Sequence, residues 1–166
     1  MSVTVNAGSS SMEVEAGADQ YLTFFLSKEE YGVDILRVQE IRGWDGATVI
    51  PNTPDYVLGV INLRGTVVPI IDLRKRFVME NTEFTAATVV VVVKVMHDKG
   101  ERTVGMVVDA VSDVYNVTSK DVNTAPDVGG KVSLDFIKGL ATVNDKMVIL
   151  LDIDALINVG ILEEAA

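Results

Sequence analysis

Val57-Leu58-Gly59-Val60-Ile61-Asn62-Leu63-Arg64-Gly65-Thr66-Val67-Val68-Pro69-Ile70-Ile71-Asp72-Leu73-Arg74 is the stretch that decides the fold. Two apolar runs, 57–63 and 66–71, flank a two-residue break at Arg64-Gly65. That spacing predicts a β-hairpin with a tight turn, because Gly tolerates the positive φ such turns demand. The turn sets a permanent cation, Arg64, at a loop tip between two anchored strands. A rigid scaffold presenting one loop residue is a common basis for recognition.

The surrounding composition favours the same class. Valine occurs 29 times in 166 residues, and β-branched side chains pack well on pleated surfaces. The length suffices for one domain with a real core. A formal charge of −10 argues against a nucleic-acid surface or adhesion to an anionic leaflet, both of which need clustered Lys and Arg. The absence of Cys excludes disulfides and thiolate metal sites and fits a reducing compartment. With His97 as the sole histidine, a His-based triad or a multi-His metal centre cannot form within one chain. The N-terminus has neither the basic start nor the apolar segment of a signal peptide. The longest apolar run, 86–93, is interrupted only by Thr88. It falls far short of the roughly 20 residues of a spanning helix, which predicts a buried strand and no membrane insertion.

Along the chain, residues 1–18 lack periodicity and are predicted to be a disordered tail. Alternation over 21–26 gives a strand, 27–30 a turn, and Tyr31 to Val33 a returning strand. Ile35 to Ile41 has an apolar residue every third position, so a helical turn is an alternative there. Further hairpins are expected for 89–96 with 103–108, and for 139–143 with 147–151 across Asn144-Asp145. Residues 116–133, with Pro126 and Gly129-Gly130, read as a long turn-rich connection. A short helix follows from Ile153, with Asp152 as N-cap.

The chain also repeats itself. At a shift of 80, Gly59 falls on Gly139, Val68 on Val148, Ile70 on Leu150 and Asp72 on Asp152. At a shift of 73, Gly32 falls on Gly105, Val38 on Val111, Glu40 on Asp113 and Ile41 on Val114. Two similar β-subdomains are expected, roughly 20–80 and 86–158, with strands free to interleave between them. Small five-strand units tend to close into barrels, which removes exposed edges. A duplicated pair would share an apolar seam.

Catalytic chemistry is sparse. Asp72 and Asp152 precede helix-like segments, where N-capping explains them. Asp109 and Asp113 read as strand-end or bulge positions. No phosphate cradle is visible, and Arg74-Lys75-Arg76 reads as a solvated basic face. Trp44, between Gly43 and Gly46, is either an exposed anchor or half-covered by its loop. What remains is apolar strand surface with charges at loop tips, the profile of a protein-binding module. An oligonucleotide-binding barrel and a hydrolase built on Asp pairs are the alternatives; acidity weighs against the first and the lack of a cation or metal cluster against the second.

From about Gln20 to Asn158 the chain resembles the bacterial chemotaxis coupling protein CheW. The resemblance rests on 29–35, 38–43, 52–54, 59–74 and 104–114. It implies a mainly β fold of two intertwined, five-stranded SH3-like barrels around a shared apolar core, spanning 19–159, with 160–166 as a C-terminal tail. It implies a cytoplasmic, non-enzymatic adaptor without cofactor or metal. Such an adaptor joins the cytoplasmic tips of transmembrane chemoreceptors to the histidine kinase CheA in membrane-apposed arrays, together with further copies of itself. The matching positions place Val38, Glu40, Gly59, Arg64, Gly65, Val89 and Val114 on the receptor- and kinase-binding surface. Glu40 and Arg64 have opposite charges and are expected to pair. Two related chains carry more than this unit: CheV adds a receiver domain and CheA a kinase core.

Overall fold

Strands form where β-branched and aromatic residues alternate. In chain order they are β1 (Asp19–Leu26), β2 (Glu29–Asp34), β3 (Val38–Gly43), β4 (Val57–Leu63) and β5 (Thr66–Asp72). Then come β6 (Val89–His97), β7 (Gly100–Val108), β8 (Ala110–Val117), β9 (Val122–Asn123), β10 (Ile137–Val143) and β11 (Lys146–Leu151). Two short helices, α1 (Leu73–Arg76) and α2 (Ile153–Ile157), follow β5 and β11. The computed structural model describes residues 19–97, 100–124 and 134–158. The expected tails at 1–18 and 160–166, and the turn residues Pro126 and Gly129-Gly130, lie outside them.

The hairpin of β4 and β5 forms with Leu63 opposite Thr66. Arg64 and Gly65 both have positive φ, +51° and +90°, in the turn whose twist matches that of the flanking strands. The Asn62 side-chain oxygen accepts the Gly65 N–H at 2.8 Å and fixes the turn. Asp72 and Asp152 are N-caps, as expected: their carboxylates accept from Arg74 N and Ala155 N.

Three local expectations change. The β1–β2 turn is confined to Ser27-Lys28, and β2 starts at Glu29. The ambiguous 35–41 stretch divides into a 3-10 turn, Ile35–Arg37, and the strand β3. Residues 116 and 117, expected in the turn-rich connection, end the strand β8, and Val122–Asn123 of that connection form β9.

One sheet has the order β8-β1-β2-β11-β10-β9 and the other β3-β6-β7-β5-β4. Under the repeat, β1 to β5 correspond to β6, β7, β8, β10 and β11. Each sheet therefore takes the first two strands of one repeat and the last three of the other, with the short β9 as a sixth strand in the first sheet. The sheets cut across the sequence halves 20–80 and 86–158. Each sheet also curls back on itself. The chain leaving β3 pairs Thr48 with Val60 of β4, and the chain leaving β8 reaches β10 through β9.

Glycine makes the equivalent parallel contacts possible. Gly105 lies opposite Ile70, and Gly32 opposite Leu150. A Cβ on Gly105 would sit 2.5 Å from Ile70 Cδ1. Apolar packing follows this arrangement. Leu63, Val68, Ile70, Val90, Val92 and Val107 form one small cluster. Tyr21, Val117, Ala141, Val148 and Leu150 form another, from the other sheet. The largest cluster joins both sheets and both helices, with Phe24, Tyr31, Val93, Met106, Phe77 and Leu156 among its members.

Candidate protein-binding surface

Glu40 reaches its place through a β-bulge. Val38 pairs with Val93, yet Glu40 pairs with Val92. A regular ladder would set Glu40 opposite Val91. Val91 belongs to the shared core and Val92 to the small cluster of the other face. One extra residue, Gln39, thus moves Glu40 to the opposite face of its sheet. There its Oε1 accepts a hydrogen bond from Arg64 Nη2 at the β4–β5 tip. Arg42 Nη1 stands 3.9 Å from the other carboxylate oxygen.

The electrostatics are those of a surface pair. The hydrogen bond from Arg64 holds the Glu40 carboxyl below the usual Glu value. The Arg64 side chain is 68% exposed and that of Glu40 26%. Arg64 also sits in the left-handed region, where Gly, Asn and Asp are at home. The equivalent turn uses Asn144 and Asp145. Arg64 is therefore costly for the backbone, and its guanidinium is the gain.

The other expected site residues divide by role. Val38 and Val89 are half-buried and pack against the shared core; Val89 lies opposite Gly43 at the far end of β3. Gly59 is buried with φ +139°, and a Cβ there would lie 2.0 Å from the Thr48 carbonyl oxygen. It holds the Thr48–Val60 contact that brings the chain leaving β3 round to β4. Gly65 supplies the turn. Val114 is on the other sheet, opposite Leu22 of β1. The structure thus brings Glu40, Arg64 and Gly65 together, roots Val38, Val89 and Gly59 in the same sheet, and leaves Val114 apart.

Val114 has a counterpart nonetheless. At the shift of 73 it corresponds to Ile41, and at the shift of 80 Val67 corresponds to Met147. All four side chains are exposed. The same positions of both sheets therefore offer apolar surface.

Arg74 overturns one expectation. The basic run 74–76 is not a solvated face: Arg74 is wholly buried. Its Nε and Nη2 donate to the Asp72 carboxylate at 2.9 Å each. Its Nη1 donates to Asp109 Oδ1 at 2.9 Å and to the Glu83 carbonyl at 2.5 Å. Asp109 in turn accepts the Ser27 N–H at 2.6 Å. The Phe84 ring covers the Arg74 guanidinium at 5.0 Å and stacks on Trp44, also at 5.0 Å. Trp44 is accordingly half-buried, as one of its two sequence readings held. Arg76 lies over the rings of Tyr56 and Phe136. Asp72-x-Arg74 beside an acidic residue at a strand end was the available signal, but only the fold brings Asp109 to it.

Among the described residues no group of three or more His, Cys, Asp or Glu could hold a metal, and no helix is long and apolar enough to cross a membrane. Two β subdomains sharing one core, with a charged hairpin tip and equivalent exposed apolar positions, define a scaffold built for protein contacts. Residues 20–160 match the CheW-like domain, and the chain belongs to that family of chemotaxis scaffold proteins. It is 44% identical over 144 residues to the chemotaxis protein CheW of Klebsiella aerogenes, covering 87% of this chain and 84% of the relative. To CheW of Rhizobium meliloti it is 39% identical over 139 residues, covering 84% and 87%. The crystal structure of the scaffolding protein TtCheW from Thermoanaerobacter tengcongensis superposes with a TM-score of 0.77 at 31% identity, covering 86% of this chain and 90% of that one.

Proposed function

We propose that the chain is a non-enzymatic adaptor that couples transmembrane chemoreceptors to the histidine kinase CheA on the cytoplasmic side of a membrane-apposed array. The unit responsible runs from residue 19 to 159, with 1–18 and 160–166 as flanking tails. The observation that carries this reading is the Glu40–Arg64 pair, held at a loop tip by a bulge and a strained turn instead of by burial. Val38, Val89 and Gly59 support that surface from within its sheet, and Gly65 shapes the turn. Val114 contributes from the equivalent face of the other sheet, which suits contact with a second partner. No cofactor is required, and further copies of the chain join the array through the same equivalent faces.

Arg64→Glu tests the assignment. It places like charges at the tip of a hairpin whose strands are anchored elsewhere. Circular dichroism should retain the parent's strand signal, while receptor-dependent stimulation of reconstituted kinase should be lost. Normal stimulation by the folded variant would remove Arg64 from the site. Co-purification of receptors and kinase with the parent chain tests the wider reading, and their absence would count against the adaptor.

A further inference from the structure

The two short helices are tied down by ion pairs of opposite polarity. In α1, Arg74 reaches Asp109 in the β7–β8 junction at 2.9 Å. In α2, Asp154 holds the position aligned with Arg74 at the shift of 80 and meets Arg37 in the β2–β3 junction. That pair is bidentate, with Nη1 to Oδ1 and Nη2 to Oδ2 both at 2.7 Å. Asp154 also accepts the Met96 N–H at 2.8 Å. The two junctions occupy the same place in the repeat, between its second and third strands. Each clamp runs from the helix of one repeat to the junction of the other. The cation is on the helix in the first clamp and on the junction in the second.

We propose that these opposed clamps specify which repeat pairs with which. Every sheet is assembled from both repeats, so similar strand sets on two chains could pair like with like and build intermolecular sheets of the same topology. In such a pairing Arg74 of one chain would face Arg37 of the other, and Asp154 would face Asp109. Both contacts are repulsive, whereas the pairing made within one chain satisfies all four charges. Opposed charges of this kind discriminate against a wrong partner more than they strengthen the right one.

Reversing one clamp separates this role from simple stabilisation. Arg37→Asp with Asp154→Arg keeps an ion pair within the chain but gives both clamps the same polarity. Like repeats of two chains would then attract. Arg74 would meet a carboxylate at position 37, and Asp109 would meet a guanidinium at position 154. Arg37→Gln with Asp154→Asn removes the charges without creating that attraction. The full chains would be refolded from urea at several concentrations and sized by chromatography with light scattering. The reversed variant should show a concentration-dependent oligomer fraction at least about threefold above the parent's, and the neutral variant should match the parent. A reversed variant that refolds with the parent's size distribution would overturn the proposal. So would equal oligomerisation of the neutral variant, or loss of strand signal in the reversed one, since each makes the pair a stabilising contact only.

Discussion

At the scale of single residues, the two arginines of the Asn62–Arg74 stretch have opposite jobs. Arg64 is exposed and pairs with Glu40, whereas Arg74 is buried and pairs with Asp72 and Asp109. A buried charge stripped of its partner costs far more than an exposed one, because water cannot replace the lost contact. Arg74→Ala should therefore cost about 3–5 kcal/mol in urea unfolding, while Arg64→Glu leaves the midpoint near the parent's and acts on binding. The glycines permit a finer ranking. A Cβ on Gly59 meets backbone at 2.0 Å and a φ that L-residues rarely adopt, while one on Gly105 meets the end of the Ile70 side chain at 2.5 Å. Side-chain ends can yield and a backbone carbonyl in a pairing cannot. Gly105→Ala should thus cost about 1–3 kcal/mol, and Gly59→Ala more. Equal losses in the two denaturation curves would show that the Thr48 segment gives way freely. The place of Arg64 at a loop tip was legible from the Gly65 beside it, whereas the burial of Arg74 was not, because it depends on Asp109, 35 residues away.

Elements were legible where turn chemistry and alternation agree. The Arg64-Gly65 and Asn144-Asp145 hairpins and the caps at Asp72 and Asp152 all formed where the sequence placed them. β8 was illegible because a bulge breaks its period: Leu22 pairs with Val114 but Phe24 with Val111. A bulge of the same kind in β3 blurred the 35–41 stretch, where one extra residue also shifts the apolar period. The two irregularities fall at aligned places, beside Asp113 and Glu40, so they belong to the design of both sheets. Their consequence for the site is testable in β3. Glu40→Ala removes the carboxylate that the bulge delivers to Arg64 and leaves the backbone ladder in place. Strand content should persist. Binding to receptor fragments should fall to the level of Arg64→Glu, and adding Arg64→Glu to Glu40→Ala should cause no further loss. A Glu40→Ala variant that still binds like the parent would mean that Arg64 acts without Glu40.

For the whole molecule, the repeat was legible as two shifts, 80 and 73, and interleaving was allowed for, but which strands exchange between the sheets was not legible. Local alternation says that a strand forms and which face is apolar; it does not say which of two similar copies it pairs with. The long-range ion pairs that join the copies also give the molecule a dependence on pH. Burial on its own would push Glu30 up. Hydrogen bonds from Thr23, Ser112 and Lys146 outweigh it and hold Glu30 below its ordinary value of 4.5. In the same way burial would raise Asp154, and the bonds from Arg37 and the Met96 N–H lower it below 3.8. A carboxyl whose value is lower folded than unfolded stabilises the fold above its unfolded value. That stability is lost as pH falls through the folded value, when the native state must also take up the proton. Stability should accordingly be level near neutrality and begin to decline as pH drops below about 4.5. Glu30 joins β2 to the start of β11 through Lys146, at 3.2 Å, and β2 and β11 come from different repeats. Glu30→Gln should therefore lower the urea midpoint at neutral pH and flatten its acid decline, so that the curves of variant and parent converge in acid. Parallel curves, offset by a constant amount down to about pH 3, would assign the acid sensitivity to other carboxylates. Asp154→Asn alone should then flatten the slope, which would place the pH-dependent link at the α2 clamp instead of at β2.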